Sequence, residues 1–404
     1  MKIISLALSL VAVAGVALGL SGEEFDALYN TPKKDGEVCY KLYQAYAQGD
    51  GVEKNESAAR KWLLAAHRCG KPGLRRELLN LPWRKRLEVK ELIPVAELDD
   101  AEAREKGEEL VKMLHTILLK NGKRGAASSS AELRSWEIQK VRQLIAAGAD
   151  LNVCVPDPKS SARYSALQLA CSAGNFELAK LLIDNGADPC ANSLLALEPC
   201  MVLYNHGCHP FSGVPMKTLG RRSPAQRGEA LSKAKVVMDY HPGHQGEVMA
   251  YEVAKFLFKN GLDVRMHNDS GRSVAYEVVN RHALQLLPVL WRRGGLDVNL
   301  RNDARECVEG ALLPRQMPTR VRDGWQNHEP ALFAAVRTGQ DLAVQVLLDL
   351  KADVTLRVQG NTALDATRRE MEACAESPNE DYRARLVRMA DTLQKAEEKA
   401  AAEK

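Results

Sequence analysis

One short pattern recurs along the chain: a stretch rich in Leu and Val, then a glycine, one residue, and an aspartate. It reads Gly148-Ala149-Asp150-Leu151-Asn152, Gly186-Ala187-Asp188-Pro189, Gly261-Leu262-Asp263-Val264 and Gly295-Leu296-Asp297-Val298-Asn299. A fifth copy, Lys351-Ala352-Asp353-Val354, has lost its glycine. The preceding stretches match one another as well, as in Val141-Arg142-Gln143-Leu144-Ile145 and Val344-Gln345-Val346-Leu347-Leu348. Apolar residues at i, i+3 and i+4 predict a helix with one buried stripe. A glycine just past the stripe takes the left-handed conformation that ends a helix. The Asp and Asn behind it close a tight turn on nearby backbone N–H groups. Each unit is then a helix followed by a projecting finger. A single unit cannot bury its own stripe, so the units must stack, and an all-α helical-repeat solenoid is predicted. Aromatic residues make up only 5% of the sequence, which suits many short helices better than a β-sandwich or barrel.

A second, shorter helix is expected between fingers. Ser165-Ala166-Leu167-Gln168-Leu169-Ala170, Ala331-Leu332-Phe333-Ala334-Ala335 and Thr362-Ala363-Leu364-Asp365-Ala366 mark its start. Ser273 and Thr362 stand where a capping hydroxyl is wanted. These segments resemble the Thr-Pro-Leu-His-x-Ala opening of ankyrin repeats, and the resemblance covers about residues 130–395. It is strong around 165–190 and 330–366 and weak at Ser273-Val274-Ala275-Tyr276. Gly148 to Gly186 is 38 residues and Gly261 to Gly295 is 34, near the ankyrin period of about 33. Gly186 to Gly261 is 75 and Gly295 to Lys351 is 56, so insertions, or in the first case a decayed repeat, are expected at about 191–228 and 303–328.

The N-terminal part has another character. Cys39-Tyr40-Lys41-Leu42-Tyr43-Gln44-Ala45-Tyr46, Gly49-Asp50-Gly51-Val52 and Lys61-Trp62-Leu63-Leu64-Ala65-Ala66 resemble one Sel1-like repeat, a helix hairpin related to tetratricopeptide units, over residues 36–75. The hairpin is expected to pack on a helix at about 99–120, within a helical connector spanning 76–125. Residues 396–404 are expected to fray. The apolar run Ile3 to Leu20 behind Lys2 reads as a signal peptide over residues 1–21, with an uncleaved anchor as the alternative. The expected location is periplasmic or secreted. Cys39 and Cys69 would then lie at adjacent ends of the hairpin. Secreted cysteine-rich Sel1-type proteins bridge helices in a similar way, and the resemblance makes this pair a disulfide candidate; the alternative is two buried thiols.

No catalytic motif has convincing spacing, and no cofactor is expected. His206, Cys208, His241 and His244 are zinc-capable residue types, but they match no ligand pattern; they carry the less favoured reading of a metal-assisted enzyme in the 195–245 segment. The net charge of +4, with acids and bases interspersed, gives no basic face for nucleic acid. Trp136 and Trp291 are expected in the core, whereas Trp325 sits among arginines in an insertion. The ankyrin resemblance implies a non-catalytic, monomeric scaffold for a protein partner, or alternatively an envelope-associated assembly or structural factor. By analogy with that fold, the contact residues would be Asn152, Arg265, His267, Asn299, Arg301, Trp325 and Arg357.

Overall fold

The computed structural model describes residues 19–31, 34–121, 133–156, 163–191, 245–268, 270–281, 283–284, 286–306, 328–375 and 379–403. The N-terminal part comprises α1 (Gly22–Tyr29), α2 (Gly36–Gln48), α3 (Glu56–Arg68), α4 (Arg75–Leu79) and α5 (Pro82–Lys85). The helices α2 and α3 form a hairpin that turns at Gly49, which is left-handed with φ 82°. Asp35 and Asn55 cap the two helices through side-chain oxygens. Cys39, Leu42 and Ala45 of α2 are buried, as are Trp62, Leu63, Ala65 and Ala66 of α3.

A stack of helix pairs follows. It begins with α6 (Asp100–Asn121) and α7 (Ser135–Ala146), then α8 (Ala166–Ser172) and α9 (Phe176–Asp184). Next comes α10 (Gln245–Lys259), followed by α11 (Val274–Asn280) with α12 (Leu286–Gly294) and α13 (Ala331–Arg337) with α14 (Asp341–Asp349). The last pair is α15 (Ala363–Ala373) with α16 (Glu380–Ala402). First helices pack on first helices: α6 on α8, α11 on α13, and α13 on α15. Second helices do the same, α10 on α12 and α14 on α16. This is the all-α solenoid the periodicity calls for. Its spine includes Leu182, Leu257, Leu287, Val344, Leu347 and Leu386, all fully buried, each contributing roughly 1.5–3 kcal/mol.

The sequence explains where helices start and stop. Ser165 and Gln168 form a reciprocal capping box at α8, and Thr362 and Asp365 form another at α15. The Ser273 hydroxyl accepts from the Tyr276 N–H at α11. At the finger starts Gly148 has φ 88° and Gly295 φ 65°, and Lys351, where the glycine is lost, still has φ 71°. Strand structure among the described residues is confined to fingers: Val155–Pro156 pairs with Arg163–Tyr164, and Val358 bridges to Asn361.

Three features depart from expectation. Trp136 and Trp291 are 58% and 39% exposed rather than in the core. The buried stripe of α7 is Glu137, Val141, Leu144 and Ile145, and Trp136 falls just off it. In α12, Leu286, Leu287, Pro288 and Leu290 are buried and Trp291 turns outward. The hairpin lies across the fingers; toward α6, Arg104 reaches the Arg68 carbonyl and the Gly73 N–H donates to Asp100. Finally, α16 stays helical to Ala402, through residues expected to fray. Among the described residues no helix is long and apolar enough to cross a membrane.

Candidate interaction surface

Each finger aspartate closes its own turn. Asp150, Asp188, Asp263, Asp297 and Asp353 accept the backbone N–H two residues on, at 2.7–3.0 Å, through Oδ1. Asparagines then tie neighbouring fingers together. The Asn152 side chain donates to the Gly186 carbonyl at 3.1 Å and accepts from the Asp188 N–H at 2.8 Å. Asn299 repeats this with the Lys351 carbonyl at 3.3 Å and the Asp353 N–H at 2.8 Å.

In the first three fingers the carboxylate also faces α3. His67 Nε2 lies 2.9 Å from Asp150 Oδ2. Arg60 Nε donates to Asp188 Oδ2 at 3.0 Å, and the Ser57 hydroxyl donates to Asp263 Oδ2 at 2.6 Å. Lys61 continues the row: its Nζ donates to the Glu306 carbonyl at 2.8 Å and to the Glu306 carboxylate, which also accepts from the Tyr29 hydroxyl. Ser57, Arg60, Lys61 and His67 fall on one side of α3 by helical spacing, and all four are buried. Ala59, Trp62, Leu63 and Ala66 form the other side, toward α2.

The segment from α4 to the start of α6 covers the same fingers at their glycines. A Cβ at Gly148 would press on Leu98, one at Gly186 on Leu79, and one at Gly261 on the Trp83 ring. This segment also satisfies helix C-terminal carbonyls that would otherwise be orphaned. Arg84 donates to the Ile183 and Asp184 carbonyls at 3.1 Å, and the Ala96 N–H donates to the Ala146 carbonyl at 2.8 Å. At their glycine position and turn aspartates the fourth and fifth fingers are bare by comparison. A Cβ at Gly295 would meet nothing within 4 Å among the described residues, and Asp297 and Asp353 are exposed.

The electrostatics follow from this packing. Burial pushes the Asp150 carboxyl up, but the hydrogen bond and charge of His67 outweigh it and hold it below the ordinary carboxylate value. Asp263 is likewise lowered against burial by Arg265 and Ser57, and Glu306 by Lys61, His267 and Tyr29. Burial first, then the Lys61 charge, pulls His267 below its ordinary value.

The residues singled out in the sequence occupy distinct places. Asn152 is buried as a finger tie, and Asn299 is the corresponding half-exposed tie. Arg265 is exposed and pairs with Asp263 of its own finger at 2.9 Å. His267 Nε2 lies 2.7 Å from the Arg301 carbonyl, Arg301 donates to the Arg357 carbonyl at 3.0 Å, and Arg357 donates to the Gly360 carbonyl at 2.8 Å. These three therefore form one row along successive fingers. Trp325, His206, Cys208, His241 and His244 lie outside the described residues, as do most of the two insertions. Among the described residues no three His, Cys, Asp or Glu side chains group as a metal site. Cys39 and Cys69 are neighbours with no disulfide between them; the Cys69 side chain, together with burial, pushes the Cys39 thiol well above its ordinary value.

Sequence reasoning missed Ser57, Arg60, Lys61 and His67. A polar stripe on a short helix reads as a solvent face unless a distant partner is known. No curated protein matches this chain. Residues 163–193, the α8–α9 unit with the start of its finger, match the ankyrin repeat family model, and an ankyrin repeat suggests a protein–protein interaction role. The chain thus carries an ankyrin repeat at 163–193, set within a stack of helix pairs and fingers.

Proposed function

We propose that this chain is a non-catalytic interaction scaffold, exported from the cytoplasm, whose partner is a protein held along the fourth and fifth fingers. The observation that carries the reading is Arg301 and Arg357, fixed in a hydrogen-bonded row that begins at His267 of the third finger, on the same two fingers as the exposed carboxylates of Asp297 and Asp353. Side chains already fixed on rigid fingers lose little freedom on binding, and mixed charge selects a partner by complementarity. The N-terminal hairpin is read as a Sel1-like repeat on the residues quoted above, and export rests on the apolar run Ile3 to Leu20.

A photo-crosslinking residue placed at Arg357, with a second at Arg383 on α16 as control, tests the binding surface in cells. The expected result is a discrete protein adduct at 357 that is absent at 383. Equal, diffuse labelling at both positions would overturn the reading. Export is tested separately by fractionating cells and sequencing the mature N-terminus, which is expected between residues 19 and 23.

A further inference from the structure

Among the described residues, the aspartates that close the finger turns serve a second purpose in the first three fingers. One oxygen of Asp150, Asp188 and Asp263 caps the turn, and Oδ2 receives a side chain from α3. Asp297 and Asp353 close their turns in the same way yet remain exposed. The array therefore completes its fingers without α3, and α3 adds to fingers already formed. The hairpin likewise has an apolar interior of its own, Cys39, Leu42 and Ala45 with Trp62, Leu63 and Ala66. What crosses from α3 to the fingers is a stripe of hydroxyl, guanidinium, ammonium and imidazole groups against buried and half-buried carboxylates. Apolar contact reaches the fingers at Gly148, Gly186 and Gly261 through Leu98, Leu79 and Trp83. Buried ion pairs contribute modestly to net stability and select strongly for the right partner, because any ligand that leaves a carboxylate unpaired is rejected.

We propose that residues 19–98 are a removable ligand held in cis. The finger bases of the first three units, extended by Glu306 of the fourth, form a helix-binding surface that the chain fills with its own α3. A helix arriving in trans competes for this surface when it presents hydroxyl and basic groups at the spacing of Ser57, Arg60, Lys61 and His67. The inference stands apart from the partner of the fourth and fifth fingers, since it concerns a different set of carboxylates.

The test uses the full chain with Arg60→Glu and Lys61→Glu, followed by hydrogen–deuterium exchange and fluorescence anisotropy. The probe is a labelled synthetic peptide of wild-type sequence spanning residues 54–71. In the variant, amides of α3 and of residues 79–98 are expected to lose protection while those of α11, α13 and α14 keep it. The peptide is expected to bind the variant at least about tenfold more tightly than it binds the wild-type chain, whose surface is already filled. Loss of protection in α11, α13 and α14 together with α3 overturns the proposal, because the segment is then part of one cooperative core. Equal peptide binding to both chains overturns it as well. Should the double reversal unfold the whole chain, Ser57→Ala with His67→Ala gives a milder release, judged by the same two readouts.

Discussion

Arg60 of α3 and Asp188 of the second finger, 128 residues apart in sequence, form a two-pronged ion pair with both side chains buried. Arg60 is fixed further by a 2.7 Å bond from Nη1 to the Gly261 carbonyl and by the Trp83 ring, whose centroid lies 4.0 Å from the guanidinium carbon. Removing one member strands the other. Arg60→Ala is expected to cost about 3–5 kcal/mol. Arg60→Met combined with Asp188→Asn is expected to recover much of that, because Asn keeps the acceptor for the Cys190 N–H. Urea unfolding of the three chains measures both.

The carboxyls of Asp150, Asp263 and Glu306 are held below their ordinary values in the folded chain. A depressed folded pKa means stability that is present above the unfolded pKa and lost as pH falls through the folded one. Acidification below about pH 4 is therefore expected to loosen α3 from the fingers. Exchange protection of α3 should fall with pH in that window faster than protection of α13. A parallel decline in both helices would contradict it.

His267 adds a second pH dependence. Burial and the Lys61 charge lower it from 6.5, so the neutral form is the one that fits. Its contribution is present above pH 6.5 and declines as pH falls through the lower folded value. Melting temperature is expected to fall as pH drops below 6.5 in wild type, and His267→Gln is expected to flatten that slope.

The finger glycines give a graded series. Gly295→Ala, with open space around it, is expected to cost about 1 kcal/mol for its left-handed backbone alone. Gly261→Ala carries the same backbone strain and also displaces the Trp83 ring, so it should cost more and shift tryptophan fluorescence. Lys351→Gly runs the other way. Relief of the left-handed lysine, offset by the freer unfolded chain, is expected to stabilise by about 0.5–1 kcal/mol in urea unfolding.

The thiols of Cys39 and Cys69 are neighbours with no disulfide between them. Oxidised glutathione is expected to join them, and the closed hairpin should gain roughly 3 kcal/mol in a urea titration, a gain reversed by dithiothreitol. Intact-mass analysis of the alkylated chain detects the bridge, and Cys69→Ser should abolish the difference.

The stacked pairs were legible because their signals are local. An apolar stripe, a left-handed position and a turn aspartate all act within about ten residues, and the capping boxes at Ser165 and Thr362 are visible as short motifs. Even the missing glycine at Lys351 left its finger recognisable. The docking of α3 was not legible, because Ser57 meets Asp263 206 residues away and nothing around either residue announces the other. Trp136 and Trp291 misled for a related reason: a single large apolar residue one step off a stripe looks core-facing until neighbouring helices fix the rotation. The candidate contact residues were visible as finger positions, whereas the division between filled and bare fingers arises only in three dimensions.

The pairing of Lys61 with Glu306, 245 residues downstream, also sets an order of events during synthesis. Polypeptides leave the ribosome N-terminus first, so α3 emerges with its cationic side facing water long before the carboxylates it will meet. The earliest fingers can stack as they appear, yet the hairpin cannot seat fully until about residue 306 has left the exit tunnel. Closure over so long a loop is expected to make seating a late step of maturation. A nascent chain stalled short of that residue would keep the hairpin open to whatever else in the cell can grip it.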